Sequence, residues 1–152
     1  MLPIKKIICP TDFSESANEG IKAANELALH FSAEIILINV VSTIPIVPAS
    51  PALTGVNDLQ ILTEMEDAAR ETIAKDAERL LDNSLESHLM VINGNAADEI
   101  ARVAEEEKVD LIVISTHGLG GWRKFFFGSV TEKVAKLASC PVLLIQPPDK
   151  EE

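Results

Sequence analysis

Basic side chains are scarce: 13 lysines and arginines stand against 24 aspartates and glutamates, for a formal charge of -11. Such a chain repels nucleic-acid phosphates and anionic membranes wherever no local patch reverses the average, so neither is an expected partner. Cysteine is scarcer still. Cys9 and Cys140 lie far apart in strand-like stretches, without the close spacing of a metal or redox pair, and read as buried free thiols. His30, His88 and His117 are scattered in the same way, which gives no sequence support for a cage of protein ligands around a metal. Long apolar runs are missing. None approaches the ~20 residues of a membrane span, and the apolar stretch before Pro10 is too short for a signal-peptide core, so a soluble, cytoplasmic protein is expected. Two common phosphate patterns, G-x-x-x-x-G-K-[ST] and G-x-G-x-x-G, are absent as well.

What is present is an alternation of patterns. At 152 residues and 47% hydrophobic, the chain can bury one substantial core, and residues 1–152 read as a single domain. Ile4 to Pro10 forms a first apolar strand. Ala17, Ile21, Ala24, Ala28 and Phe31 then mark a helical stripe over Ser14 to Ser32, and Glu34 to Val41 is a second strand of the continuous kind covered on both faces. Pro45, Pro48, Pro51 and Gly55 break any regular pattern between Ser42 and Asn57, which reads as a long surface loop. Leu62, Met65, Ala69, Ile73, Ala77 and Leu80 mark a long amphipathic helix, and a short strand near His88 to Asn93 follows. Asn95 can cap a helix bearing Ile100, Val103 and Ala104. Strand Leu111 to Ser115, a helix over about Ser129 to Ala138, strand Pro141 to Gln146 and a polar tail over 147–152 complete the chain. This alternation predicts an α/β fold: a doubly wound, five-stranded parallel sheet in the order 3-2-1-4-5 with helices on both faces. Strand 4 then separates the segments of Cys9 and Cys140, and no disulfide is expected.

In that order the connections from strands 1 and 4 leave toward opposite faces and open a crevice at their carboxyl ends. Two polar segments meet there, Pro10-Thr11-Asp12 and Thr116 to Gly128. The second holds Gly118, Gly120, Gly121 and Gly128 and runs into a helix at Ser129. Glycines let backbone amides approach a ligand, and a helix start adds free N–H groups with a partial positive charge, a combination suited to phosphate.

Ser115-Thr116-His117-Gly118, nine residues, then Gly128-Ser129 resembles the G-x-x-G-x9-G-[ST] signature of the universal stress protein family, with Ser115 in place of the first glycine. The resemblance extends to Ile8-Cys9-Pro10-Thr11-Asp12-Phe13-Ser14-Glu15, to Asp110-Leu-Ile-Val-Ile114, to Gly128-Ser-Val-Thr-Glu132 and to Cys140-Pro-Val-Leu-Leu-Ile145, and so covers nearly the whole chain. It implies a five-stranded α/β domain, commonly dimeric, whose nucleotide-binding branch holds ATP with a divalent ion while other members bind none. It further implies that Pro10 and the backbone of Val40 meet adenine, and that Asp12, beside Thr11, lies near the ribose and metal-bound phosphates. Ser115, Thr116, His117, Gly118, Leu119, Gly120 and Gly121 would wrap the ribose and phosphates. Ser129, Val130 and Thr131 would receive the phosphate tail.

Each residue also has a plainer reading. Ser129 and Glu132 form S-x-x-E, a capping box needing no ligand, and Asp12 with Glu15 can cap the first helix in the same way. A carboxylate beside phosphates is repulsive without a cation between them, so Asp12 as a ligand implies Mg²⁺ or Mn²⁺. The Cβ of Ser115 would weaken binding if the site needs φ > 0 or bare backbone. Arg123 and Lys124 can neutralise phosphate or be merely solvated, and Trp122 with Phe125, Phe126 and Phe127 would seat the loop on the core.

The expected function is an ATP-binding (or ADP- or AMP-binding) regulatory module of the stress response, with nucleotide occupancy ordering the Thr116 to Gly128 loop and so altering a dimer or partner surface. The alternative is a nucleotide-free dimerisation or chaperone-like protein, supported by the missing first glycine. An ATPase or phosphotransferase has weaker support, because the cradle has no built-in lysine and no second acidic motif, so any hydrolysis would be weak. Receiver-domain chemistry lacks its acceptor aspartate after the third strand, where Asn93 and Gly94 stand, and FMN binding lacks a glycine-rich first loop. The apolar strand 141–146 at one sheet edge predicts a homodimer.

Overall fold

The structure, a computed structural model, describes residues 2–42, 58–116 and 128–148. Its elements run β1 (Lys6–Pro10), α1 (Glu15–Phe31), β2 (Glu34–Val41), α2 (Asp58–Leu80), β3 (Ser87–Asn93), α3 (Ala96–Glu106), β4 (Leu111–Ser115), α4 (Ser129–Leu137) and β5 (Val142–Ile145). The strands form one all-parallel sheet in the order β3-β2-β1-β4-β5, as the alternation predicts. The irregular stretch expected over 42–57 lies, from residue 43, outside the described residues, as do residues 117–127 of the glycine loop and 149–152 of the tail. Among the described residues no helix is long and apolar enough to cross a membrane.

The sheet separates two cores, and strand parity decides which residue enters each. Ile7, Cys9, Ile35, Leu37 and Val113 pack with Ile21, Ala24, Ala28 and Ile73 on the α1/α2 side. Ile8, Ile36, Ile38, Ile112 and Ile114 pack with Ile100, Val103 and Val134 on the α3/α4 side. Both faces of the three central strands are therefore covered, which is why they read as nearly continuous apolar runs. Asp110 fastens their beginning: one carboxylate oxygen accepts from the amides of Lys5 and Lys6 at 2.8 and 2.9 Å, tying the turn before β4 to the start of β1.

Several local expectations are corrected. Met65, on the predicted stripe of α2, is exposed, and continuous burial begins at Ala69. The 23 residues of α2 span about 35 Å, whereas the eight of β2 cover about 26 Å, so the beginning of the helix overhangs the sheet. Cys9 is buried as expected, but Cys140 lies before β5 and is only partly covered. Burial pushes the Cys9 thiol up to about 12, so it is inert at neutral pH.

Candidate functional site

β1 feeds α1 on one face of the sheet and β4 feeds α4 on the other, so the chain diverges between the two central strands. A crevice of about 130 Å³ opens at this point. Pro10, Thr11, Asp12, Ala17, Ile38, Asn39, Val40, Ala96, Ile100, Ile114, Ser115, Val130 and Thr131 line it. Of the residues singled out from the sequence, Pro10, Thr11, Asp12, Val40, Ser115, Val130 and Thr131 thus come together. Thr116 is buried beside them, its amide donating to the carbonyl of Ile145 at 2.9 Å and pinning the exit of β4 to the end of β5. Gly128 and Ser129 stand at the start of α4, with the Ser129 side chain exposed and outside the crevice lining. His117, Gly118, Leu119, Gly120 and Gly121 lie outside the described residues, as do Trp122, Arg123, Lys124 and Phe125 to Phe127.

Asn95 caps α3 as expected, its side chain accepting from the Asp98 amide, but neither cap considered beside the crevice forms. Gly128, not Ser129, occupies the N-cap of α4, and the first turn has no side-chain cap; the carboxylate of Glu132 pairs instead with Lys136 at 2.7 Å. That partner holds the Glu132 carboxyl below its usual range. The first helical amides after a bare N-cap are left for another acceptor. At α1 the cap is Ser14, whose hydroxyl oxygen accepts from the amide of Ala17 at 3.1 Å. Asp12 stands two residues earlier, and its Oδ1 accepts from the amide of Ser14 at 3.0 Å.

The turn after β1 is tightly determined. Thr11 Oγ1 accepts from the amide of Phe13 at 3.0 Å, and Phe13 holds a left-handed φ of 66°. The Thr11 amide donates to the carbonyl of Ile38 at 2.8 Å, and the buried Asn39 side chain donates to the Thr11 carbonyl at 2.9 Å. Among the lining residues missed in the sequence, which include the apolar Ala17, Ile38, Ala96, Ile100 and Ile114, Asn39 is the polar one. Its signal was present as one amide inside the apolar run Glu34 to Val41, for a polar group buried in a central strand needs a partner.

Ser115 carries none of the backbone difficulty considered above. Positive φ among the described non-glycine residues is confined to Phe13, Ser32 and Lys108, so Ser115 ends β4 as ordinary strand. Its Cβ is accommodated by Gly20 of α1, where a Cβ would come within 3.3 Å of both the Cβ and the amide nitrogen of Ser115. The crevice lining is otherwise apolar toward Ile38, Val40, Ile100 and Ile114, and Asp12 is the one charged side chain among the described lining residues.

Comparison with known proteins agrees with this architecture. Residues 3–146 match the model of the universal stress protein family. The universal stress protein MJ0531 of Methanocaldococcus jannaschii is 38% identical over 97% of this chain and 85% of its own length. MJ0577 of the same organism is 30% identical over 93% of this chain and 94% of its own. The solved structure of MJ0577 superposes with a TM-score of 0.78 over 97% of this chain and 99% of that one, at 27% identity. Two further structures share the fold at lower identity. One is a universal stress protein in complex with cAMP, with a TM-score of 0.65 at 19% identity over 94% of this chain and 97% of that one. The other is the universal stress protein of Archaeoglobus fulgidus in complex with dAMP, with a TM-score of 0.64 at 20% identity over 95% and 99% of the two chains.

Proposed function

This chain belongs to the universal stress protein family, and we propose that within it the protein is an ATP-binding regulatory module whose nucleotide occupies the crevice between β1 and β4. The observation that carries this reading is the convergence of the polar turn after β1 with the uncapped first turn of α4 on a single crevice. Free amides and the partial positive charge of a helix start favour phosphate locally, whatever the net charge of the protein. The apolar lining by Ile38, Val40 and Ile100 suits a flat base. Complexes of similar folds with cAMP and dAMP make an adenine nucleotide the ligand class to test.

In this reading Pro10 and the Val40 backbone enclose the base, Asp12 and Ser115 face the ribose, and the amides of Ser129, Val130 and Thr131 receive the phosphates. Gly128 leaves them room to approach. Asp12 supplies a single carboxylate, which fits a Mg²⁺ or Mn²⁺ ion that takes most of its oxygen ligands from phosphate and water. No hydrolytic step is assigned to these residues. Self-association through β5 belongs to the same proposal: β5 is an edge strand, and Leu143 on it is 38% exposed.

Titration calorimetry of nucleotide-stripped protein with ATP, with and without Mg²⁺, tests the reading. Micromolar, metal-dependent binding that is lost in Gly128→Val and reduced in Asp12→Asn is the expected result. A folded protein that takes up no ATP would instead leave a module working through its protein surfaces. A monomer by light scattering at micromolar concentration would remove the association through β5.

A further inference from the structure

At the amino ends of the strands, away from the crevice, register brings together three side chains that the sequence holds far apart. Glu34 opens β2, His88 pairs with Ile36 of β2, and Glu86 lies two residues before His88. Positions two apart on a strand and positions paired across parallel strands share a face, so Glu34 and His88 project on the face that carries Ile36 and Ile38, and Glu86, just before β3, brings its carboxylate to within 3.5 Å of His88 Nε2. Their ligand atoms lie within 4.8 Å of one another. We propose that Glu34, Glu86 and His88 form a binding site for a divalent transition-metal ion, with Zn²⁺ as the ion of best fit.

Two details separate this group from an ordinary surface ion pair. Both carboxylates approach the same imidazole atom: Glu34 Oε2 is 3.7 Å and Glu86 Oε1 3.5 Å from His88 Nε2. One ring N–H cannot serve two acceptors well, and both separations exceed hydrogen-bond length. Three donor atoms around one centre account for the pattern better. With Zn–N and Zn–O bonds of about 2.0–2.2 Å, neighbouring ligands of a tetrahedral ion stand roughly 3.3–3.6 Å apart, close to the two separations from His88 Nε2. Any gap that remains is between the two carboxylate oxygens, which lie within 4.8 Å of each other. The exposed side chains can close that gap by small rotations.

The donor set also selects the ion. Imidazole nitrogen beside two carboxylates suits Zn²⁺ and its late first-row neighbours, whereas Mg²⁺ prefers an all-oxygen octahedron. His88 and Glu86 are exposed, which leaves the remaining metal positions open to water. Lys6 is the competitor. Its Nζ lies 3.5 Å from the same Glu34 oxygen, but it also stands 3.7 Å from Glu107 Oε2, a second carboxylate that can keep it when a metal arrives. The site therefore predicts a specific gain: removing Lys6 should strengthen binding.

Competition of Zn²⁺ against a chromogenic chelator at pH 7.5, on the full chain without nucleotide, reads this directly. One Zn²⁺ per chain is expected. Loss of an outer-shell partner alone weakens metal sites about 10–100-fold, so His88→Ala and Glu86→Gln should each weaken binding at least about tenfold. Lys6→Met should tighten it, and excess Mg²⁺ should not displace the ion. Circular dichroism confirms the fold of each variant, and the exposed Glu86→Gln keeps the test valid if His88→Ala unfolds. Zn²⁺ affinity unchanged in both ligand variants, or no uptake by the folded protein, would overturn the site.

Discussion

The packing of Gly20 against Ser115 can be read as an energy. Gly20→Ala in the interior of α1 gains about 1 kcal/mol of helix propensity. The new methyl, however, would stand 3.3 Å from the Ser115 Cβ, 3.3 Å from its amide nitrogen and 3.6 Å from its Oγ, inside the ordinary 3.5–4.0 Å spacing for the two closest. Overpacking of this kind costs about 1–3 kcal/mol, so the variant should lose about 0–2 kcal/mol net. In a Ser115→Gly background two of those three contacts vanish and the backbone nitrogen alone remains. The same Gly20→Ala change should then be more favourable by about 1 kcal/mol. Urea unfolding followed by far-ultraviolet circular dichroism, at one protein concentration so that any association is held constant, measures all four chains of the cycle. With a denaturant slope of about 2 kcal/mol/M, the coupling corresponds to a midpoint difference of about 0.5 M. Additivity of the two substitutions within about 0.3–0.5 kcal/mol would refute the claim that Gly20 makes room for Ser115.

Three further outcomes are expected. Asn39→Ala leaves the Thr11 carbonyl without its side-chain partner and should cost about 1–3 kcal/mol in a thermal melt; an unchanged midpoint would mean that the turn after β1 holds without this bond. Asn95→Ala removes the acceptor for the Asp98 amide at the start of α3 and should lower stability by about 1 kcal/mol in urea, whereas an effect below about 0.3 kcal/mol would deny the cap its role. The Cys9 thiol is raised from 9.0 to about 12 by burial, so the fold favours its neutral form, and this contribution is complete below pH 9 and lost as pH rises from 9 toward 12. Between pH 7.5 and 10.5 the wild-type chain should therefore lose about 2 kcal/mol more than Cys9→Ala, and parallel losses would show that the thiol ionises without unfolding.

The parts of the fold legible in the sequence are those set by burial. Ile35 to Ile38 read as a parallel strand because helices cover both faces, and the strand order followed from handedness and the βα alternation. Caps were read less well because S-x-x-E and D-x-x-E constrain composition but not the residue at which the backbone turns. Ser14 took the cap of α1 from Asp12, and Gly128 took that of α4 from Ser129. Both displacements change the candidate site. An Asp12 outside the helix is held by the Ser14 amide at the crevice rim, and a glycine cap leaves the amides of α4 without the acceptor that a serine would have supplied.

Strand register is the other quantity that local pattern does not contain. Glu34 and His88 are separated by α2 and by residues 43–57, and no spacing rule links them; the pairing of Ile36 with His88 does. The scatter of histidines along the chain is no measure of their surroundings in the fold, because parallel strands align residues by register, not by their distance in sequence. The same alignment brings Pro10 opposite Ile38, and so puts the turn after β1 beside Asn39 and Val40 at the opposite end of the sheet. Some five residues of β2, roughly 17 Å, separate Glu34 from Asn39. A Zn²⁺ ion at one end and a nucleotide at the other would thus share a strand without sharing a ligand, and each can be removed by substitution while the other is measured.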